Sequence, residues 1–223
     1  MHQYKQQHFE VTPILSVDVV LLTIIESELC VALHTRENAP FAGTWALPGG
    51  FIHAEDDSAM AAAARVLKGK TNVESPYLEE FGTFSGPARD PRGWSLTVVY
   101  YALAPIVSPL IKLFPVDKLP NLPFDHSQIV TSVVERVRSK ASYSSLPVHL
   151  CPPEFTIPEL HAVYEVVLGE SINVANFRRK LVDLDVLEPI SGLMRSAGRS
   201  RPSQVYRVKK RFKEKLSVRE RGL

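Results

Sequence analysis

Three arginines in the first half of the chain stand at positions suited to anion binding. Arg36 ends the strand-like sequence His-Thr-Arg. Arg89 directly precedes an Asp-Pro-Arg-Gly turn, which begins at Asp90, contains Arg92 and precedes a strand. Each guanidinium offers a planar fork of N–H donors that fits phosphate or ribose oxygens. Trp94 can either stack on an adenine ring or pack in the core. The alternative for each arginine is an ordinary surface charge, and this alternative loses weight for the cluster as a whole.

A second set of polar residues occupies one helix in the basic last third of the chain. At 100° per residue, the apolar stripe of this helix comprises Val174, Phe177, Leu181 and Leu184, and it must pack inward. Asparagine can read adenine and arginine can read guanine bidentately, while flanking cations hold phosphates. We therefore predict a DNA-reading helix that uses Asn173 at its N-cap and Asn176, Arg178, Arg179 and Lys180 beyond it. The alternative is a solvated basic helix.

The elements around that helix favour the DNA-reading interpretation. Thr156 and Glu159 form the sequence of a capping box, which starts a preceding helix that ends at Gly169. After the DNA-reading helix come a short strand, a Gly/Ser/Arg loop over residues 191–203 and a last strand over 204–209. Helix, helix, strand, basic loop, strand is the order of a winged helix-turn-helix. The wing would contact DNA backbone or minor groove through Arg195, Arg199 and Arg201.

The first half reads as mixed α and β structure around one sheet. β-branched runs predict two strands, over residues 17–25 and 29–35, with a tight hairpin connection between them. Proline and glycine predict a loop over 38–50. Further elements are a helix over 58–70, strands over 77–84 and 95–104, and a helix over 126–140. The aperiodic, proline-containing stretch 142–153 predicts a boundary between domains 1–150 and 151–223.

Composition and charge restrict the possible classes of protein. The chain has 223 residues, of which 45% are hydrophobic and 22% charged, as in ordinary globular proteins. No apolar run is long enough for a membrane span and no signal peptide is evident, while Cys30 and Cys151 have neither disulfide nor metal-ligand spacing. A reducing cytoplasm is expected. Residues 1–151 carry a net charge of −3 and residues 152–223 a net charge of +5, so the back half is suited to a polyanion.

Residues 45–50 read Trp-Ala-Leu-Pro-Gly-Gly, and they are followed by a helix with acidic residues at its N-terminal end. This combination resembles the start of the sequence motif of Nudix hydrolases, the Nudix box. In that family, glutamates hold divalent metal beside a diphosphate, because cleavage requires charge neutralisation and an activated water. Gly50 is in place, and either Asp56 or Asp57 has the box spacing, depending on where one inserted residue falls. Asp56 fits the spacing from Gly50, and Asp57 fits the spacing to Arg65.

The metal-binding carboxylates of the box are missing. The glutamate after Arg65 is replaced by Val66, and the Glu-Glu pair falls on Gly69 and Lys70. This exchange removes negative charge and adds a positive charge, so magnesium should not bind usefully. We therefore expect no metal site, no catalytic residue and no enzymatic activity, but a Nudix fold that keeps its ligand pocket.

Both halves together are similar to the Nudix-related transcriptional regulators of bacteria, over about residues 10–210. The resemblance rests on Leu-Pro-Gly-Gly-Phe (47–51), Arg-Asp-Pro-Arg-Gly-Trp (89–94), Phe-Asp-His (124–126), Phe-Thr-Ile-Pro-Glu-Leu (155–160), Asn-Phe-Arg-Arg-Lys (176–180), and Gly-Arg (198–199) to Pro202 leading into Tyr206-Arg207. It implies an α+β protein, with a Nudix α/β/α sandwich followed by a small winged helix-turn-helix domain. Residues 198–202 read Gly-Arg-Ser-Arg-Pro where the family usually has Gly-Arg-Pro, so the wing tip is expected to differ slightly.

The resemblance also implies a function and partners. Family members are homodimeric repressors, usually of NAD-synthesis or salvage genes, with ADP-ribose as signal; some control sugar-utilisation genes instead. The expected partners are a palindromic operator in double-stranded DNA, ADP-ribose or a related NAD derivative, and a second copy of the chain. ADP-ribose would act as effector and no cofactor is expected. The motif residues assigned to the effector are Arg36, Gly49, Gly50, Phe51, Arg89, Asp90, Arg92 and Trp94.

Two other functional classes compete with this one. Some family members keep a complete box and hydrolyse, so an active ADP-ribose or nucleoside-diphosphate pyrophosphatase with an accessory basic domain is the first alternative. A ligand-binding module whose basic domain contacts RNA is the second. The missing Glu-Glu pair counts against the hydrolase. A recognition helix fits the DNA major groove and not the narrow groove of RNA, which counts against the RNA binder.

Overall fold

The predicted hairpin at the start of the chain forms the centre of a seven-stranded sheet. The computed structural model describes residues 12–75, 77–105, 108–196 and 201–212. Strands β1 (Ile14–Ile25) and β2 (Glu28–Thr35) pair antiparallel through a turn whose residues, Glu26 and Ser27, both have positive φ. The middle of each strand is fully buried, because the sheet is covered on both faces.

Five further strands complete this sheet: β3 (Trp45–Ala46), β4 (Gly49–Phe51), β5 (Leu78–Gly86), β6 (Ser95–Leu103) and β7 (Lys112–Pro115). The main order is β3-β2-β1-β6-β5, with β4 on β1 and β7 on β2. Strands β1 and β6 run parallel, and the other pairs are antiparallel.

One helix covers each face of the sheet. Helix α1 (Ala59–Thr71) begins at the N-cap Ser58 and packs its small buried side chains, Ala62 and Ala63, with Val17, Val19 and Leu21 of β1. Helix α2 (His126–Tyr143) packs a row of valines and Ile129 against the opposite face. This arrangement confirms the α/β/α sandwich.

A small second unit follows, with strands β8 (Phe155–Thr156), β9 (Leu187–Arg195) and β10 (Ser203–Val208), and helices α3 (Ile157–Leu168) and α4 (Val174–Leu184). The capping box at the start of α3 is present, since Thr156 and Glu159 exchange hydrogen bonds. The strands form a sheet in the order β8-β10-β9, and Phe155, Tyr164 and Phe177 are fully buried between sheet and helices. The winged helix prediction is therefore confirmed.

The two units are in direct contact. The stretch predicted as a boundary contains a short 3-10 helix, Leu146–Leu150, in which every residue is buried. Val167 of α3 belongs to the same core cluster as the valines of α2, and the Tyr164 hydroxyl donates to the carbonyl oxygen of Ser144 over 3.0 Å. The aperiodic sequence therefore reflects a packed junction.

Several boundaries differ from the predictions. Strand β3 and the first two residues of β4 lie inside the predicted loop 38–50. Both strands are too short to show alternation, and β7 and β8 were not predicted for the same reason. Helix α2 continues to Tyr143, and β9 extends to Arg195 because its exposed residues pair with β10. Among the described residues, no helix combines the length and apolarity needed to cross a bilayer.

Candidate functional site

A cavity of about 720 Å³ opens where β1, β2 and β4 meet α1 and the loop before β6. Most of the predicted effector residues share this cavity, including Arg36, Gly49, Gly50, Phe51, Arg89, Asp90 and Arg92. Other lining residues were not singled out from sequence as ligand contacts: Ser16, Asp18, His34, Glu37, Asn38, Ala39, Leu47, His53, Arg65, Val66, Gly69, Lys70, Phe124 and His126.

The two glycines form the closely packed floor of the cavity. Gly49 pairs with Asp18 in the β4–β1 ladder, and a Cβ added at Gly49 would collide with Asp18 Oδ1. A Cβ at Gly50 would lie 3.1 Å from Val66 Cγ2. Glycine is therefore required here by protein packing, and the resulting bare backbone also allows close approach of a ligand.

The degenerate box keeps its frame and lacks its metal ligands. Arg65 binds Asp56 through two contacts of 2.6 and 2.7 Å and donates to the Phe51 carbonyl oxygen, which identifies Asp56 as the box acid that Arg65 binds. These bonds hold the pKa of Asp56 at about 2. Val66 is buried, whereas Gly69 and Lys70 face the cavity. The described residues contain no group of three or more histidine, cysteine, aspartate or glutamate side chains placed to hold a metal ion. The residues present therefore do not fit the family's metal.

Arg89 occupies the cavity wall, but the structure corrects its predicted role as a free phosphate fork. Its guanidinium donates to both carboxylate oxygens of Asp125 over 2.9 Å and to Ser95 Oγ over 3.2 Å. A further contact of 3.8 Å reaches Asp18. All three nitrogens thus interact with protein oxygens, because the side chain is only 9% exposed and needs such partners. Arg89 holds the cavity wall together.

Arg92 remains available at the cavity rim. Asp90 accepts from the backbone N–H of Arg92 and from its Nε and Nη2, and these bonds lower the pKa of Asp90. The Arg92 guanidinium lies over the ring of Phe51, which is half-exposed. Asp90 therefore orients Arg92 and fixes the turn, and both of its carboxylate oxygens accept hydrogen bonds from Arg92.

Arg36 faces the cavity, and no carboxylate of the described residues forms an ion pair with it. Its Nε donates to the Pro40 carbonyl oxygen over 3.0 Å, and the guanidinium lies 4.9 Å from the centre of the Phe124 ring. Burial and the neighbouring charge of Arg92 lower the pKa of Arg36. An anion in the cavity would reduce the repulsion between the charges of Arg36 and Arg92.

Trp94 does not line the cavity, and 37% of its surface is exposed on the loop before β6. The structure therefore places Trp94 neither in the lining of this cavity nor in the core, and its contact with the effector stays a prediction. The strand that follows begins at Ser95, and the Trp94 carbonyl oxygen accepts from the N–H of Ile14, so the backbone here joins the edge of β1.

Buried histidines, absent from the predicted contacts, complete the interior wall. The backbone N–H of Leu47 donates to His126 Nδ1 over 3.1 Å, and His126 Nε2 lies 3.7 Å from Asp18 Oδ1. Burial lowers the pKa of His126, and burial followed by the charge of Lys70 lowers that of His34. The sequence signal was the Phe-Asp-His motif at 124–126, which carried no assigned role.

Helix α4 presents a polar face in the second unit. Asn173 is the N-cap, and its side-chain oxygen accepts from the N–H groups of Ala175 and Asn176, so that oxygen is already used. Asn176, Arg178 and Arg179 are exposed, and Arg179 donates to the Asn176 side chain. These three side chains have the exposure that base or phosphate contacts require.

Lys180 was predicted to bind phosphate, and the structure shows that this is wrong. It is fully buried, its ammonium donates to the carbonyl oxygens of Ala141 and Ser142 over 2.6 and 3.0 Å, and it lies over the Tyr164 ring. Val174, predicted to pack inward, is 52% exposed. The inward-facing side of α4 therefore includes Lys180 and not Val174, because the helix packs against the end of α2 as well as against α3.

The predicted wing contacts fall in three different places. Arg201 is exposed between β9 and β10, as expected for a wing. Arg195 lies in β9 rather than in a loop, and it binds the Glu154 carbonyl oxygen and the carboxylate of Glu159. Arg199 lies outside the described residues.

Comparison with known protein families matches both units. The model "NUDIX domain" matches residues 13–130, and the model "NrtR DNA-binding winged helix domain" matches residues 147–208. The "ADPR responsive transcriptional repressor NtrR" of Acinetobacter baylyi is 36% identical over 217 residues, which is 92% of this chain and 85% of that protein. The "ADP-ribose pyrophosphatase" of Methanocaldococcus jannaschii is 32% identical over 116 residues, covering 48% of this chain and 67% of that protein.

Solved structures agree with this assignment. NrtR of Shewanella oneidensis, crystallised with a 27mer DNA, has a TM-score of 0.84 and 38% identity over 94% of this chain and 99% of that chain. The NUDIX domain of the same protein, crystallised with ADP-ribose, has a TM-score of 0.53 and 38% identity over 60% of this chain and 94% of that chain. Taken with the two domain matches and the shared order of sandwich and winged helix, these similarities establish that the chain belongs to the NrtR family of Nudix-related transcriptional regulators.

Proposed function

We propose that this protein is an ADP-ribose-responsive, DNA-binding transcriptional repressor of NAD-synthesis or salvage genes in the bacterial cytoplasm. The front cavity binds ADP-ribose, or a related NAD derivative, as an effector and does not cleave it. The winged helix domain of a homodimer binds a palindromic operator in double-stranded DNA. No cofactor takes part.

The observation that carries this proposal is the charge of the cavity. Five cationic side chains line it, Arg36, Arg65, Lys70, Arg89 and Arg92, and they outnumber its three carboxylates, Asp18, Glu37 and Asp90. The carboxylates that bind metal in hydrolases are replaced by a buried valine, a glycine and a lysine, at Val66, Gly69 and Lys70. A site of this kind attracts a diphosphate but has no group arranged to activate water through a metal. Retention is therefore favoured over hydrolysis. The complex of the Shewanella relative's NUDIX domain with ADP-ribose supports the choice of ligand.

The surface of α4 supports duplex DNA as the partner. Asn176 and Arg179 are three positions apart, so they lie on the same face of the helix, and both are exposed. A helix of this kind fits the major groove. The interaction of Arg179 with the Asn176 side chain orients both groups. The Shewanella relative crystallised with DNA supports the same partner. A symmetric dimer would place two such helices on a palindrome.

Helix α2 offers a physical route between the two sites. Its first residue, His126, accepts from Leu47 in the cavity wall, and the preceding Asp125 binds Arg89. At its other end, the carbonyl oxygens of Ala141 and Ser142 accept from Lys180 of α4. An effector that changes DNA affinity must bind one arrangement of these elements better than another.

A gel shift on the gene's own promoter region, with and without ADP-ribose, tests this function. We expect a specific complex that ADP-ribose dissociates, with a coupling of about 1–3 kcal/mol or roughly 5–150-fold in DNA affinity. By reciprocity, operator DNA must weaken ADP-ribose binding by the same factor. Equal ADP-ribose affinities of free protein and protein–operator complex would show that the cavity is no sensor of this ligand. A probe that is never retarded would exclude that promoter as an operator.

A further inference from the structure

A lysine stands where the hydrolase box has a metal-binding carboxylate, and it faces the cavity. Lys70 lies in the last turn of α1, and its side chain is 35% exposed. The C-terminal end of a helix favours a cation, so the ammonium is well accommodated there. The neighbouring Gly69 leaves open space, since an added Cβ would meet nothing within 4 Å. This end of the cavity therefore offers both a positive charge and room for a ligand.

Lys70 is also the least engaged of the five cavity cations. Its carboxylate neighbour, Glu37, is 3.7 Å away and 76% exposed. A solvent-exposed pair at this distance contributes little, so the ammonium can leave Glu37 for a ligand at small cost. Three of the other cations are held by carboxylates at 2.6–2.9 Å, and the fourth donates to backbone carbonyl oxygens: Arg65, Arg89 and Arg92, and Arg36.

Resting on the proposed function, we propose that Lys70 binds the diphosphate of ADP-ribose directly and takes the place of the metal, so that binding requires no divalent cation. Arg36 supplies the second charge, because its guanidinium is not neutralised by a carboxylate in contact with it. Together with the loss of carboxylates at Val66 and Gly69, the side chain at position 70 thus favours one of the two behaviours of this fold. A carboxylate there serves metal-dependent hydrolysis, and an ammonium serves metal-independent retention.

Calorimetric titration of the full-length protein with ADP-ribose, in EDTA and in excess magnesium, tests this inference. We expect the wild type to have the same affinity in both buffers. Lys70→Ala should weaken binding about 10–100-fold, the cost of losing one charge-assisted hydrogen bond. Lys70→Glu should weaken binding in EDTA further still, because its carboxylate repels the diphosphate. Lys68→Ala is the matched control, since Lys68 lies in the same turn, pairs with Glu74 and does not line the cavity.

The possible failures are distinguishable. If the wild type binds ADP-ribose only with magnesium, or if Lys70→Ala binds as tightly as Lys68→Ala, the inference is overturned while the effector function stands. If the wild type binds no ADP-ribose in either buffer, the proposed function fails, and inorganic pyrophosphate becomes the probe for Lys70. Binding of pyrophosphate that Lys70→Ala abolishes would still support the lysine site, and binding that it leaves unchanged would overturn it. Thermal unfolding of each variant checks that the fold is intact.

Discussion

The ammonium of Lys180 lies 2.6 Å from the carbonyl oxygen of Ala141, so the inner face of α4 is fastened to the last turn of α2. Ala141 lies 39 residues earlier in the chain and in the other structural unit. Carbonyl groups at a helix C-terminus have no partner within the helix, and here a lysine from the next domain satisfies them. The helix that carries the DNA-facing residues is thereby linked to the sandwich through the end of α2.

Replacing Lys180 is therefore expected to affect stability. Lys180→Met should lower the free energy of unfolding by about 1–3 kcal/mol, because buried carbonyl oxygens lose their hydrogen-bond donor. Urea unfolding measures this loss, with the neighbouring exposed Arg178→Met as control. Unchanged stability combined with lost DNA binding would instead restore a phosphate-contact role for Lys180.

Arg179 is expected to read a base. Arg179→Ala should reduce affinity for operator DNA by about 1–3 kcal/mol and have a smaller effect on random DNA. Lys118→Ala removes the same charge from an exposed site on the sandwich and serves as the control. Fluorescence anisotropy with specific and scrambled duplexes measures both affinities. If footprint and affinity survive the loss of Arg179, the assignment of the DNA-facing side of α4 is incorrect.

The cavity is expected to bind ADP-ribose without turning it over. A phosphate-coupled assay with magnesium or manganese should show no turnover in the common enzyme range of roughly 1–1000 per second. The physical reason is the loss of metal ligands at Val66, Gly69 and Lys70. Turnover in that range would favour the pyrophosphatase alternative.

His149 makes stability depend on pH. Burial lowers its pKa to about 4, its Nε2 finds no hydrogen-bond partner among the described residues, and its ring stacks on Tyr77. Between pH 6.5 and 4 the unfolded chain takes up a proton that the folded state does not, so stability falls as pH falls through this range. The full effect is about 3 kcal/mol.

The variant His149→Phe isolates this contribution, because phenylalanine keeps the stacked ring and cannot be protonated. Urea midpoints measured from pH 7 to pH 4 should decline less steeply for the variant than for the wild type. His34 and His126 also have lowered pKa values and affect both proteins equally. Parallel curves would show that His149 takes up its proton equally in the native and the unfolded state, and so is solvated in the native state.

Local sequence patterns predicted those elements well in which residues of one type recur at regular spacing over a long stretch. The β1–β2 hairpin, both sandwich helices and the capping box at Thr156 follow from β-branched runs, helical spacing and a cap that uses only neighbouring residues. The two-residue strands β3 and β8 could not be predicted, because their pairing depends on partners elsewhere in the chain.

The candidate site was harder to predict, because charge type does not reveal which charges neutralise one another. Arg89 and Arg92 look equivalent in sequence, yet Arg89 is buried against Asp125 while Arg92 stays at the rim. Similarly, helical spacing placed Lys180 near the polar face, and its true position depends on the packing of α4 against the junction. Both outcomes come from contacts between residues more than 30 positions apart.

The paired guanidinium of Arg89 has a consequence for how a ligand is received. It contacts Asp18 of β1, Ser95 of β6 and Asp125 at the start of α2. These contacts join three separate elements, so this wall of the cavity is preorganised without the help of a ligand. A preorganised receptor loses little conformational entropy on binding, and more of the interaction energy is left to bias a larger equilibrium. We therefore expect a signal from this cavity to travel by whole helices changing their relative positions, and not by the ordering of a loose loop around the ligand.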